Sequence, residues 1–298
     1  MNLSNDIKYQ LQHGSTLMKL LLVNVLLFLV QSLVLLIAFF GGFKSEYIAL
    51  LSNWFWASSD IGKLITRPWT LVTYMFLHNP ESIFHILSNM LYLYFFGRIF
   101  VDFFNHKKAY PLYFTGGLVG FLASLLAYNL IPSLNNEIGV TLVGASAAVM
   151  AIVLATATLA PDFTVQLLIV GPVKLKYIAL FVVIIDLVSI PSTLNLGGHI
   201  AHLGGALTGY LYIRSFNSGK DWFSWWPRFE ERLYGLFAPK KPKVVYRNQN
   251  NPGPASIREN DINKQQKLDA ILDKIKLGGY DSLSKAEKEF LFKISNEK

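Results

Sequence analysis

The 298-residue chain contains no cysteine. That excludes a disulfide scaffold, thiol catalysis and any cysteine-ligated metal, and it leaves the compartment open. Charge is scarce as well. Asp, Glu, Lys and Arg make up 15% of the residues, against roughly 25% in an ordinary soluble domain. The charge present is unevenly placed: residues 1–215 carry 11 basic and 8 acidic side chains, and residues 216–298 carry 16 and 11, so +5 of the net +8 lies in the last 83 positions. A sparsely charged body precedes a short, basic, polar tail. With 52% hydrophobic residues and a mean hydropathy of +0.37, that body is neither a soluble enzyme nor a disordered chain. Beside a polytopic body, the basic tail points to a membrane surface rather than to nucleic acid.

Long uncharged runs stand where charge is missing. A bilayer core takes about 20 mostly apolar residues per helix. One such run lies between Lys19 and Lys44; it is too long for a secretory signal, and no small-residue cleavage site follows it. Further runs occupy 82–97 (continued by aromatic residues to about 104), 109–131, 140–160, 177–190 (interrupted by Asp186 and cut short by Pro191) and 197–213. The expected fold class is an all-α membrane protein with six transmembrane helices. Arg98, Lys107 and Lys108 lie between spans 2 and 3, and Lys174 and Lys176 between spans 4 and 5. The 132–139 and 191–196 connections have no basic residue. The positive-inside rule then places both termini in the cytoplasm and the long 43–81 connection, with Trp54, Phe55, Trp56 and Trp69, at the external interface.

Ionisable or strongly polar residues inside a span are functional candidates, because the bilayer makes them costly. Here they are His85 and Asn89 in span 2, Ser146 in span 4, Asp186 in span 5, and His199 and His202 in span 6. Spans 2, 4 and 6 all enter from the external side. Counting into each span places His85, Ser146 and His202 at one level, roughly 6–10 Å below that surface. Ala201, Gly205 and Gly209 form a small-residue stripe that lets helix backbones approach closely, and close approach is what a short serine side chain needs to reach an imidazole. In this reading His202 deprotonates Ser146 and later protonates the leaving amine. The Ser146 N–H at its helix start, with His85 and Asn89 one turn apart on one face, supplies oxyanion donors. Asp186 is expected to stand apart from this dyad, near the external end of span 5. His199 is expected to be structural or to contact a loop.

Gly144-x-Ser146 in span 4, His202-x-x-Gly205-x-x-x-Gly209 in span 6 and His85-x-x-x-Asn89 in span 2, in this order and on spans of matching direction, resemble the rhomboid intramembrane serine proteases. The resemblance covers about residues 17–215. It implies a six-helix rhomboid-like bundle of a bacterial inner (cytoplasmic) membrane, with Ser146 as nucleophile, His202 as base, and His85 and Asn89 stabilising the oxyanion. It also implies membrane-protein substrates cut in or near a transmembrane segment, with no cofactor and no metal. One departure is Thr70, where the family's first external loop often has an arginine after the tryptophan; here the stretch reads Arg67-Pro68-Trp69-Thr70. The alternative is a non-catalytic polytopic protein that binds transmembrane clients. His85 and Asn89 then act as polar glue between helices. A metalloprotease built on His199-x-x-His202 lacks the expected glutamate, and a carrier lacks the repeat and the intramembrane charges.

The expected organisation is an N-terminal cytoplasmic segment (1–16), the membrane domain (17–215), an aromatic, basic juxtamembrane segment and linker (216–257), and a cytoplasmic helical hairpin (258–298). Leu268, Ile271, Leu272 and Ile275 have helical spacing, Gly278-Gly279 stops that helix, and the Ser284-x-x-Glu287 capping box starts the next. About 40 residues are too few for a self-sufficient core, so the hairpin is expected to dock on a partner, on itself or on the membrane.

Overall fold

The structure, a computed structural model, describes residues 15–104, 106–167, 170–192, 195–237 and 254–295. The expected N-terminal segment, apart from its last positions at 15 and 16, and the 238–253 part of the linker fall outside these residues. Two compact units divide the chain, residues 1–236 and 237–298, and each is described by itself.

The first unit is an all-α membrane bundle. Its six main helices are α1 (Thr16–Phe40), α5 (Ile83–Phe103), α6 (Ala109–Leu130), α7 (Ser146–Leu159), α8 (Leu175–Ser189) and α9 (Leu196–Asn217). Between α1 and α5 lie α2 (Lys44–Trp54), α3 (Ile61–Thr66) and α4 (Thr70–Thr73). By length and composition α1, α5 and α6 can each cross a bilayer, and α7 is a shorter apolar helix. Outward faces are apolar and exposed, as in Leu29, Val30 and Leu33 of α1 and Phe181 and Val188 of α8.

α7 sits at the centre, packed by α5, α6, α8 and α9, and its Ala147–Val153 segment is buried on every side. A helix apolar all round must be enclosed in this way. Small side chains set how closely. A Cβ on Gly205 would lie 2.0 Å from the Ala147 carbonyl oxygen, and one on Gly209 1.9 Å from that of Ala151, so α9 and α7 touch backbone to backbone along the glycine stripe. Gly120 of α6 closes the junction, with its missing Cβ 2.5 Å from Ala201 O and 2.7 Å from Ala147 Cβ. The pairs 147 with 205 and 151 with 209 advance together, so α7 and α9 run in the same direction.

Span 4 differs from its expected extent. The apolar run starts at Val140, yet helix begins only at Ser146. The intervening residues are not helix: β2 (Thr141–Leu142) pairs antiparallel with β1 (Ala57–Ser58), Leu142 facing Ala57. Ser59, fully buried, donates through its N–H to Val140 O and accepts through Oγ from the Gly139 N–H, both at 2.9 Å. Ladder bonds satisfy this backbone, so helix is not required there. At 14 residues α7 is roughly 21 Å long, short of the roughly 30 Å hydrocarbon core, and its N-terminus therefore starts inside the bundle.

The connection between α1 and α5 is tied down by its aromatics. Trp54 and Trp69 stack nearly parallel with ring centroids 6.2 Å apart, Arg67 lies over Trp54 and donates to Asn53 O, and Trp69 Nε1 donates to Trp54 O at 2.8 Å. Thr70, where the family often has arginine, turns inward and donates to Arg67 O at 2.8 Å. Arg67 thus contacts Trp54 of the stacked pair from the other side of the motif.

At the opposite end, Lys108 pairs with Asp221, whose carboxylate also accepts from the Phe223 N–H at 2.9 Å and Tyr212 Oη at 3.3 Å. The aromatic 222–226 stretch of the juxtamembrane segment is in part folded onto the bundle: Phe223 is buried against Tyr212, ring centroids 4.6 Å apart. Burial opposes ionisation of Asp221, but Lys108 and the Phe223 N–H outweigh it and hold the carboxyl below its usual range. A depressed carboxylate stabilises above its unfolded pKa, about 4, and that contribution is lost as pH falls through the folded value. Asp221→Asn is therefore expected to lower the melting temperature in detergent at pH 7, by an amount equivalent to about 1–2 kcal/mol. The gap from wild type should close below about pH 4. Thermal scans from pH 3 to 8 check this; a gap that is flat across the range would refute the ion-pair account.

The second unit is a helical hairpin of α11 (Pro254–Gly278) and α12 (Lys285–Ser295); α10 (Trp226–Phe237) precedes it. The capping box forms as expected: the Ser284 N–H donates to Glu287 Oε2 at 2.7 Å, and the Glu287 N–H to Ser284 Oγ at 3.4 Å. Gly279 ends α11 with φ +75° and donates to Ile275 O at 2.8 Å. Helix begins earlier than expected, at Pro254, a residue suited to a first turn.

Candidate active site

A cavity of about 530 Å³ opens among α5, α7, α8 and α9, lined by His85, Asn89, Gly144, Ser146, Asp186 and His202 among others. The sequence-expected residues from three helices therefore meet in one space. They reach the same level by a different route from the one counted along the spans. His85 and His202 stand in the first two turns of α5 and α9, while Ser146 is the first residue of α7 and is brought to depth by the non-helical 140–145 segment.

Gly144 makes that entry possible. Its φ of +129° is a conformation L side chains rarely adopt, and a Cβ there would lie 2.6 Å from His85 Nε2 and 3.7 Å from Ser146 Oγ. The glycine thus leaves one point open, flanked by the imidazole edge and the hydroxyl. Its own N–H donates to Tyr74 O at 2.9 Å. Tyr74 is in turn held by its hydroxyl on Gly117 O at 2.7 Å. Because α7 starts at Ser146, the N–H groups of its first turn have no intrahelical acceptor, and no side chain caps them. The helix dipole adds partial positive charge at the same place.

His85 is oriented from behind. The Asn79 N–H donates to its Nδ1 at 3.3 Å, so the neutral ring carries its proton on Nε2, the atom beside Gly144. His78 packs edge-on against it with ring centroids 5.1 Å apart. His78 is in the loop before α5 yet wholly buried, and burial pushes it down to about 3, so it is neutral at ordinary pH. Asn89, 5% exposed, donates from Nδ2 to His85 O at 2.8 Å, which uses one of its two amide hydrogens.

The expectation that Asp186 stands apart is corrected. It is 4% exposed, and its Oδ1 lies 2.9 Å from His202 Nδ1 and 2.8 Å from His199 Nδ1. His199 is therefore an Asp186 partner. The signal was in the sequence, a lone carboxylate in an apolar stretch, but topology gives a residue's level in the membrane and not the neighbour toward which its helix is rotated. Among the described residues Ser146 Oγ has no hydrogen bond to His202; such contacts commonly tighten only when substrate is held.

The bundle and cavity define the class first: a helical integral membrane protein with a serine and histidines gathered at helix starts inside its core. The family model of the rhomboid domain matches residues 66–217, just over half of the chain, and the chain belongs to the rhomboid family, a family of intramembrane proteases. A second family model, of a family of unknown function (DUF6576), matches residues 257–297. A search of curated proteins finds no match to the chain.

Proposed function

We propose that the protein is an active serine endopeptidase that cuts transmembrane segments of membrane-protein substrates with a Ser146–His202 dyad. The observation that carries this reading is that Ser146, at the uncapped start of a buried helix, lines the same cavity as His202. His202 Nε2 takes the Ser146 proton as Oγ attacks the scissile carbonyl, and later returns it to the leaving amine. The oxyanion accepts from the Ser146 N–H, from His85 Nε2–H and from the second amide hydrogen of Asn89. Gly144, Gly205 and Gly209 contribute by allowing the approach of the elements that carry these groups. Water entering the open cavity then hydrolyses the acyl-enzyme.

The same reading orients the protein. The cavity end is external, and the end bearing Lys107, Lys108, Lys174 and Lys176 is cytoplasmic, as in an inner membrane with both termini inside. The membrane domain, the juxtamembrane segment with α10, and the hairpin act as separate parts, and the hairpin serves a cytoplasmic partner.

A fluorophosphonate probe tests the reading. The expected result is a covalent adduct mapped by mass spectrometry to Ser146, absent from Ser146→Ala, in protein that also cleaves a single-pass substrate in proteoliposomes. Labelling elsewhere with none at Ser146, or intact substrate throughout, favours the non-catalytic client-binding reading.

A further inference from the structure

Asp186 has no part in the dyad, yet it is among the most expensively placed side chains in the bundle. It is a carboxylate in the outward half of α8, a helix whose other buried residues are only Leu175 and Ala179. Among the described residues no lysine or arginine pairs with it; its partners are the two imidazoles of α9, one helical turn apart, both bonded through Nδ1 to the same oxygen. Its other oxygen, Oδ2, is buried without a partner.

From this geometry we infer that Asp186 is a positioning residue for His202, fixing its tautomer and ring orientation, so that the dyad works as the front of a Ser146–His202–Asp186 relay with His199 as a second clamp on the carboxylate. The inference rests on the protease reading for its catalytic consequence, but its structural content stands by itself. An ionised carboxylate only accepts hydrogen bonds, and each of its oxygens can take two. Both imidazoles must then carry their proton on Nδ1. For His202 this leaves Nε2 as the unprotonated nitrogen, the state a base requires. When His202 becomes an imidazolium, the charge forms beside a fixed and buried counter-charge. His199 gives that carboxylate a second donor, so Asp186 stays fixed while His202 changes charge.

Asp186, His199 and His202 are also a set of potential metal ligands, their ligand atoms all within 4.8 Å of one another. The distances favour hydrogen bonds. Ligand atoms held about 2.0–2.1 Å from a tetrahedral zinc stand roughly 3.3 Å apart, whereas both nitrogens here lie within 2.9 Å of the oxygen.

The test uses full-length protein carrying ¹⁵N-histidine in lipid bilayers, with the His199 and His202 signals assigned from His199→Gln and His202→Gln. Solid-state NMR of wild type should show His202 protonated on Nδ1. In Asp186→Asn the Nδ1–H population should fall in favour of Nε2–H, and in Asp186→Glu it should be largely retained. In the cleavage assay Asp186→Asn should lose about 10²- to 10⁴-fold in kcat with KM within twofold, at an unchanged melting temperature. An identical His202 tautomer in wild type and Asp186→Asn would overturn the inference, as would a kcat within threefold of wild type. Imidazole shifts that move when a chelator is added would overturn it in favour of a metal centre. If Asp186→Asn does not fold, the wild-type tautomer and Asp186→Glu decide. If no substrate is cleaved and Ser146 does not label, the protease reading fails while the tautomer result still judges this one.

Discussion

If the proposed dyad operates, His202→Gln is expected to lower cleavage of a transmembrane substrate by at least about 10⁴-fold, as removal of the base does in serine hydrolases. Glutamine is a suitable replacement because its amide still donates to the buried Asp186 oxygen that lies 2.9 Å from the native Nδ1. The contact that links α9 to α8 is kept while the basic nitrogen is lost. The melting temperature should therefore stay within a few degrees of wild type, and the loss should fall on kcat. Binding should be spared, since the cavity walls supplied by Val182, Ile185 and Met150 are untouched. The check is a proteoliposome assay with a fluorogenic single-pass substrate, run beside Ser146→Ala as the floor. Cleavage above about one per cent of wild type would rule His202 out as the base.

Gly205→Val is expected to prevent the bundle from closing. The nearest atoms to a Cβ at this position are the oxygen, carbon and Cα of Ala147, at 2.0, 2.8 and 3.2 Å. All three belong to the backbone of a helix buried on every side, so none can swing away as the end of a flexible side chain would. Relief requires α7 and α9 to separate, which breaks the matching contact at Gly209 and opens the junction with Gly120. Overpacking a core usually costs roughly 1–3 kcal/mol; with rigid backbone on both sides the loss here should exceed that range. The readout is the midpoint of thermal unfolding in detergent, expected to fall by more than about 10 °C, together with loss of probe labelling at Ser146. Gly235→Ala is the control, because a Cβ there meets nothing within 4 Å. A Gly205→Val protein that melts with wild type would contradict the backbone-to-backbone packing.

The two substitutions probe different things. One changes the chemistry in a cavity whose shape is kept, and the other changes the spacing between the helices that carry Ser146 and His202. Both depend on the register between α7 and α9, since Gly205 and Gly209 follow His202 by about one and two turns and meet Ala147 and Ala151 of the helix that Ser146 begins.

What the chain alone determined follows from local properties. Hydropathy over about 20 residues marks a span, and basic residues in loops give its direction. From these came the six helices, the shared level of His85, Ser146 and His202, and the pairing of a serine helix with a glycine-striped helix. The capping box at Ser284 and the stop at Gly279 were legible because they are settled within four residues. Tertiary structure decided the rest. The helical start of α7 at Ser146 depends on strand pairing with Ala57 and Ser58, more than 80 residues away in sequence, and the proton on His85 Nε2 depends on the Asn79 N–H. The place of Asp186 beside His202 depends on how α8 is rotated against α9. Hydropathy gives a residue's depth in a membrane but carries no information about helix rotation, which is set by side-chain packing between neighbouring helices.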